Sequence, residues 1–160
     1  MNRTMTRTMT RCLPLSAALV AIVFGGTAVA GETGDAEGCG RQFEVAQRMD
    51  MESFRDYDAE TFRAGHDDRA VSIFASGAAF YGIDAIMQVL ASHFANREAQ
   101  WSWVEKYRVV DGCKSAYILY ETVYAIPRVG FRQRALTGVG YTHKGDHWVA
   151  VSDQGTLLPP

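Results

Sequence analysis

The sequence predicts an α+β domain in which two helices precede an antiparallel sheet. Apolar residues recur at helical spacing over 41–64 and again over 83–94. Strand-like runs separated by turn residues then fill most of 100–153. The chain of 160 residues suits a single domain. Its formal net charge of −2, with Lys and Arg scattered along the chain, argues against a nucleic-acid partner.

Segment 1–30 is expected to be a secretory signal peptide rather than part of the fold. A short apolar run at 13–24 leads to the small residues Ala28-Val29-Ala30, which suit a cleavage site. The positive charges before this run are Arg3, Arg7 and Arg11. The run is shorter than the roughly 20 residues of a membrane-spanning helix, and an uncleaved anchor is the alternative. We therefore expect a secreted protein that begins near Gly31 and has no membrane attachment after cleavage.

The mature chain would keep two cysteines, Cys39 and Cys113, which are expected to form a disulfide. An even pair in an oxidising compartment favours this bond, and two free thiols are the alternative. The bond would close a loop of roughly 75 residues and stabilise the fold by about 4 kcal/mol in the chain-entropy model. Segment 31–40 is rich in Gly and acidic residues and is expected to be a flexible lead-in, so the folded domain is assigned to 41–158.

The first helix is predicted to run without interruption over 41–64. Asp58 lies between Phe54 and Phe62 on its apolar side, and is therefore expected to face the interior. Asp50 lies on the same side two turns earlier, where it is expected to cap or to pair with a neighbour.

Four strands are predicted after the second helix, at 100–110, 115–126, 131–142 and 147–153. A two-residue turn at Asp111-Gly112 would place Trp103 opposite Tyr120 and Glu105 opposite Ile118. The face that meets the helices is then expected to carry Trp101, Trp103, Glu105, Tyr107, Ile118, Tyr120 and Tyr124. The opposite, polar face is expected to carry Arg108, Arg132 and Arg134.

The order of three short motifs indicates a known fold. The first helix ends in Ala64-Gly65-His66-Asp67-Asp68, the second opens with Tyr81-Gly82-Ile83-Asp84-Ala85-Ile86, and the last strand begins His147-Trp148-Val149. Over 42–156 the chain resembles the nuclear transport factor 2-like superfamily, and within it the SnoaL-like branch. The resemblance implies a strongly curved sheet wrapped around the helices as a cone, an internal pocket, and frequent homodimers. It also implies functions ranging from isomerases, cyclases and dehydratases to binding domains without chemistry.

The catalytic positions of the related steroid isomerases are mostly not matched. Their helical tyrosine corresponds to Asp58, although Tyr57 is adjacent, and their second acid lies near Thr137. The stretch 73–82, where their general base would lie, contains no carboxylate. A ketosteroid-isomerase mechanism is therefore not expected.

Two carboxylates remain candidates for acid–base chemistry. Asp58 on the apolar side of the helix and Glu105 on the aromatic face could share one cavity, which would push their pKa values apart. The alternatives are a buried Asp58 fixed by hydrogen bonds and a Glu105 at the sheet edge. The residues expected to line the pocket are Tyr57, Phe54, Trp101, Trp103, Tyr120 and Tyr124. No cofactor is expected, and the run His66-Asp67-Asp68 lacks the second cluster that a metal site needs.

Three hypotheses for function follow. The first is an exported domain that binds a small hydrophobic molecule in its pocket without a firm catalytic signature. The second is an acid–base enzyme, an isomerase, cyclase or hydro-lyase, that uses Asp58 and Glu105 on a hydrophobic substrate. The third is a dimeric protein-interaction module whose sheet face is an interface.

Overall fold

A computed structural model describes residues 31–159, so the predicted signal peptide at 1–30 lies outside the described residues. The helices are α1 Gly31–Asp56, α2 Ala59–Ala64 and α3 Ile83–Asn96. The strands are β1 His66–Ile73, β2 Ala79–Tyr81, β3 Gln100–Asp111, β4 Ser115–Ile126, β5 Phe131–His143 and β6 Trp148–Leu157, with a short 3₁₀ turn at Pro127–Val129.

The six strands form one curved, open sheet in the order β2-β1-β6-β5-β4-β3. Neighbouring strands are antiparallel except β1 and β6, which are parallel. The helices pack on the concave face through two apolar clusters. One joins α1 to β4, β5 and β6 around Phe43, Ile118 and Trp148, and the other joins α2 and α3 to β1 around Phe62 and Ile86. The predicted α+β fold is confirmed.

The first helix differs from the prediction at both ends. It begins at Gly31 instead of near 41, so the segment 31–40 is helical and not a flexible lead-in. Cys39 is buried there, and the Trp148 indole Nε1 donates to its carbonyl oxygen at 3.0 Å. This tertiary anchoring outweighs the poor helix propensity of the Gly-rich sequence.

The predicted continuous helix over 41–64 is also wrong, because the helix breaks at residues 57 and 58. Tyr57 adopts a left-handed backbone conformation with φ of 61°, which a helix cannot continue through. Asp58 then caps α2, accepting a hydrogen bond from the backbone N–H of Thr61 at 3.0 Å. The chain therefore forms two helices where the sequence periodicity predicted one.

The pairing of β3 with β4 is shifted from the predicted register. Asp111 pairs with Ser115 across a three-residue loop, and Trp103 lies opposite Thr122 instead of Tyr120. A bulge between Glu105 and Tyr107 then exchanges the faces of the residues that follow. The predicted faces of Tyr107 and Arg108 are therefore wrong. Tyr107 is exposed on the convex face, whereas the guanidinium of Arg108 lies 5.6 Å from the ring centroid of Phe43 in α1.

The predicted disulfide is confirmed, with a Cα–Cα distance of 5.3 Å between Cys39 and Cys113. It joins the first part of α1 to the loop between β3 and β4, across 74 positions of sequence. Among residues 31–159, no helix is both long enough and apolar enough to cross a membrane.

Candidate functional site

A cavity of about 400 Å³ lies between the helices and the concave face of the sheet. Residues of both apolar clusters line it, and so do the loop after β1 and the first part of β5. The apolar lining includes Met51, Phe54, Phe62, Leu90, Trp101 and Val139. Exposed residues at the other end, among them Ser76, Ser92 and Phe131, mark its mouth. This volume is within the range of small-molecule pockets.

The inner end of the cavity carries a cluster of polar side chains from four elements. Four of its residues line the cavity, namely Asp50 in α1, His66 and Ser72 in β1 and Asp153 in β6, and the fifth is the buried Tyr141 in β5, which contacts Asp50. The Tyr141 hydroxyl donates to Asp50 Oδ2 at 2.6 Å, and the Ser72 hydroxyl donates to Asp153 Oδ1 at 2.7 Å. Ser72 and Asp153 meet because they are direct partners in the parallel pairing of β1 with β6. We call these five residues the inner polar cluster.

The imidazole of His66 is held in one orientation by its backbone surroundings. Its Nδ1 lies 2.7 Å from the carbonyl oxygen of Phe62, which can only accept, so Nδ1 carries the proton. Its Nε2 then lies 3.9 Å from Asp50 Oδ1. When the imidazole is neutral, His66 Nε2 and Asp50 Oδ1 both accept hydrogen bonds, so a donor group placed between the two atoms would be stabilised.

Asp153 has an unusual environment for a carboxylate. Burial raises its pKa from 3.8 to about 6; the hydrogen bond from Ser72 opposes this shift, and the nearby charge of Asp50 adds to it. Its second oxygen has no hydrogen-bond partner among the described residues, and Asp153 lines the cavity. This oxygen is thus open to a ligand. Burial also raises the pKa of Tyr141, so its hydroxyl keeps its proton.

Several aromatic side chains form the middle of the cavity wall. The rings of Phe54 and His93 stack with centroids 3.9 Å apart. His93 Nε2 donates to the carbonyl oxygen of Phe54 at 2.8 Å, so Nδ1 accepts from the Tyr124 hydroxyl at 3.2 Å. Burial lowers the pKa of His93, which favours this neutral form. Trp101 Nε1 is buried without a hydrogen-bond partner among the described residues.

The cavity wall contains acidic side chains and no Lys or Arg. The ionisable lining residues are Asp50, His66, His93 and Asp153, together with Tyr124, and no Lys or Arg is among the lining residues. With both carboxyls ionised and both imidazoles neutral, the wall carries two negative charges and no positive charge. An anionic ligand would therefore meet repulsion at the inner end.

The six residues predicted to line the pocket divide into two groups. Phe54, Trp101 and Tyr124 line the cavity. The other three have different contacts: the Tyr57 hydroxyl donates to the carbonyl oxygen of Ala99, Trp103 lies under the Arg55 guanidinium at 5.6 Å, and the buried Tyr120 hydroxyl donates to Gln47 Oε1 at 2.5 Å.

Asp58 and Glu105 do not enter the cavity, so the prediction that they share it is wrong. Asp58 faces solvent because the helix breaks before it, and hydrogen bonds from Thr61 lower its pKa. Glu105 is exposed beside the bulge of β3 and pairs with Arg108 at 2.6 Å. The Arg108 guanidinium also contacts Glu44 in α1.

The sequence contained weak indications of the inner polar cluster. Asp50 lies one turn before Phe54 on the apolar side of the helix, and Asp153 comes shortly after the continuous apolar run 148–151 in the last strand. Such polar residues within apolar patterns are typical of functional positions. Their meeting with His66 depends on the parallel β1–β6 pairing, which local patterns did not predict.

Comparison with known proteins shows the fold of the chain. No protein-family model matches the sequence, and no curated protein matches it at a significant level. A nuclear transport factor 2-like protein of unknown function from Pseudomonas putida is 15% identical over 75% of this chain and 87% of that chain, with a TM-score of 0.62. A ketosteroid isomerase-like protein from Erwinia carotovora is 15% identical over 73% and 94%, with a TM-score of 0.61.

A third structure is similar in the same way. A domain of unknown function with a cystatin-like fold from Nostoc punctiforme is 13% identical over 77% of this chain and 79% of that chain, with a TM-score of 0.63. These likenesses show that the chain has the nuclear transport factor 2-like fold, as the three motifs predicted. Assignment to the SnoaL-like branch stays a prediction.

Proposed function

We propose that the protein binds a small, largely hydrophobic molecule in the cavity, with the polar part of that molecule against the inner polar cluster. The observation that carries this proposal is a cavity of about 400 Å³ with aromatic walls that ends in the carboxylates of Asp50 and Asp153. Apolar pockets with a few convergent polar groups are the usual form of small-molecule sites. The apolar walls would supply most of the affinity, and the polar end would fix the orientation.

Unused hydrogen-bonding capacity supports the proposal. Among the described residues, the buried indole N–H of Trp101 has no hydrogen-bond partner, and only one oxygen of Asp153 accepts a hydrogen bond. Both residues line the cavity. Buried polar groups usually have partners, and a bound molecule would supply them.

Filling the cavity tests the proposal. Thr137 lines the cavity, and Thr137→Phe would place a ring in it, whereas Thr156 on β6 is exposed and Thr156→Phe is the matched control. Uptake of the neutral fluorescent probe N-phenyl-1-naphthylamine should fall about tenfold or more for Thr137→Phe and stay unchanged for Thr156→Phe. Equal uptake by the two variants would place the binding elsewhere and refute the proposal.

We infer further that the protein is exported and works in an oxidising compartment. The Cys39–Cys113 bond supports this, because such bonds persist in oxidising environments. The intact mass of protein collected from the culture medium should match cleavage after Ala30, less two hydrogens. A full-length mass, or protein retained only inside the cells, would contradict export.

Acid–base catalysis is the second candidate, and the inner polar cluster rather than Asp58 and Glu105 would perform it. The raised pKa of Asp153 beside His66 is the observation that favours it. If a ligand co-purifies, incubation in D₂O should introduce deuterium at carbon in wild type and not in Asp153→Asn. Equal labelling in both proteins would leave binding without chemistry as the function.

A homodimer is the third proposal, and the convex face of the sheet supports it. Exposed apolar side chains there are Val104, Tyr107, Val109 and Tyr117. Contiguous exposed apolar patches commonly mark protein interfaces. Sedimentation should show a dimer that Tyr107→Glu dissociates, while Tyr81→Glu on the distant strand β2 does not. A wild-type monomer at micromolar concentration would end this proposal.

A further inference from the structure

We propose that the ligand is a hydrophobic amine whose ammonium group binds at the inner polar cluster, between the side chains of Asp50, His66 and Asp153. This inference rests on the proposed function and deepens it by naming the ligand class. It follows from the hydrogen bonds of the cluster, from its charge, and from the aromatic character of the wall beside it.

The donors of the inner polar cluster are all committed to partners within the protein. Tyr141 donates to Asp50, Ser72 donates to Asp153, and His66 Nδ1 donates to the carbonyl oxygen of Phe62. What remains are acceptors, namely Asp50 Oδ1, His66 Nε2 and the second oxygen of Asp153. With the imidazole neutral and both carboxyls ionised, a ligand group that binds here must therefore supply donors, so a group with acceptors alone, such as a carboxylate or a ketone, does not fit.

An ammonium group matches this arrangement in number and charge. It carries three N–H donors and one positive charge, and the cluster offers three acceptors. No Lys or Arg lines the cavity, so the two carboxylates have no cation of their own apart from the imidazole of His66 when it is protonated. A hydroxyl group could donate only once and would leave this negative charge uncompensated.

The walls suit the remainder of such a molecule. Phe54, Phe62 and Trp101 line the cavity and would contact an apolar or aromatic body. Aromatic faces also attract organic cations. The cavity therefore combines an acidic end with a wall that tolerates positive charge along its length.

Three matched ligands test the inference on the wild-type protein. These are 2-(1-naphthyl)ethylamine, 2-(1-naphthyl)ethanol and 1-naphthylacetate, titrated by calorimetry at pH 7.5. The amine should bind about tenfold to a hundredfold more tightly than the alcohol, the range expected for charge-assisted hydrogen bonds, and the acid should bind more weakly than both. If the alcohol or the acid binds as tightly as the amine, the amine inference is overturned while the binding function stands. If none of the three binds, both are overturned.

Variants then locate the ammonium site. Asp153→Asn and Asp50→Asn keep an oxygen that can accept from Ser72 and Tyr141, and each should weaken amine binding about tenfold or more while changing alcohol binding less than threefold. Asp58→Asn removes an exposed carboxylate outside the cavity and should change neither. Equal losses for amine and alcohol would indicate a structural effect and contradict the inference. Melting curves identify any unfolded variant, in which case the wild-type series alone decides.

Discussion

Replacing Asp153 by Asn is expected to stabilise the protein at neutral and alkaline pH. The folded state raises the pKa of this carboxyl from 3.8 to about 6, so above pH 6 the protein holds an ionised carboxylate in a site that favours the neutral form. A rise of roughly two in pKa corresponds to about 3 kcal/mol. Since Asp153 is only partly buried, we expect about 1–2 kcal/mol of stabilisation in the variant at pH 8.

The sign of the pH dependence follows from the same shift. Below pH 4 the carboxyl is protonated in both the folded and the unfolded chain, and its contribution to stability is fully present. That contribution is lost as the pH rises from 4 through 6, because the carboxyl of Asp153 ionises at lower pH in the unfolded chain than in the folded protein, which favours the unfolded chain. The difference between variant and wild type should therefore be small at pH 4 and grow to its full value by pH 7.

Urea unfolding of both proteins at several pH values between 4 and 8 measures this difference directly. Asp58→Asn is the matched control and should behave in the opposite way, because hydrogen bonds from Thr61 lower the pKa of Asp58. Removing that carboxylate should destabilise the protein most above pH 4. An Asp153→Asn variant that is less stable than wild type at pH 8, or a difference that does not change with pH, would falsify this account of the site.

Three further results are expected. Changing Cys39 and Cys113 together to Ser should lower the free energy of unfolding by about 2–4 kcal/mol in denaturant titrations, and an unchanged midpoint would contradict a bonded pair. Lys144 pairs with the buried Asp67 and lowers its pKa to about 2, so Lys144→Met should cost about 1 kcal/mol in the same assay near pH 7. That cost should shrink as the pH falls from 4 towards 2, and a cost that does not vary with pH would refute the pairing. Affinity for 2-(1-naphthyl)ethylamine should rise about tenfold from pH 5 to pH 7, because Asp153 becomes ionised over this range; the titratable groups that interact with it are Asp50, His66 and Tyr141. A flat pH profile by calorimetry would speak against a role for Asp153.

Much of the fold could be predicted because its signals are local. The apolar stripe of α3, the turn residues between strands and the pair Cys39 and Cys113 each depend on short patterns or simple pairing rules. The break at Tyr57 could not be predicted from periodicity, because the apolar spacing continues through it. The indication that the sequence offers is Asp58, a residue type that favours the N-cap position of a new helix.

The site was harder to predict because its residues meet only in the folded sheet. Asp50, His66 and Asp153 lie on a helix and two strands, and a parallel pairing between β1 and β6 brings the strands together. Glu105 shows the reverse case. It keeps the predicted face, opposite Tyr120, but it lies on the edge strand outside the cavity, and the extra residue that follows it brings Arg108 to the same face as its partner.

The position of β6 has a consequence for how the chain acquires its structure. This strand is the last along the described chain, yet it lies between β1 and β5 in the interior of the sheet. Until it is added, β2-β1 and β5-β4-β3 are separate pieces with unpaired edges, and the cavity lacks Asp153. Contacts this distant in sequence make folding slow. Ribosome-bound chains should thus remain sensitive to proteases until residue 157 has emerged. Such late closure of the sheet is compatible with the proposed export, because a chain without its closed sheet passes more easily through a narrow channel.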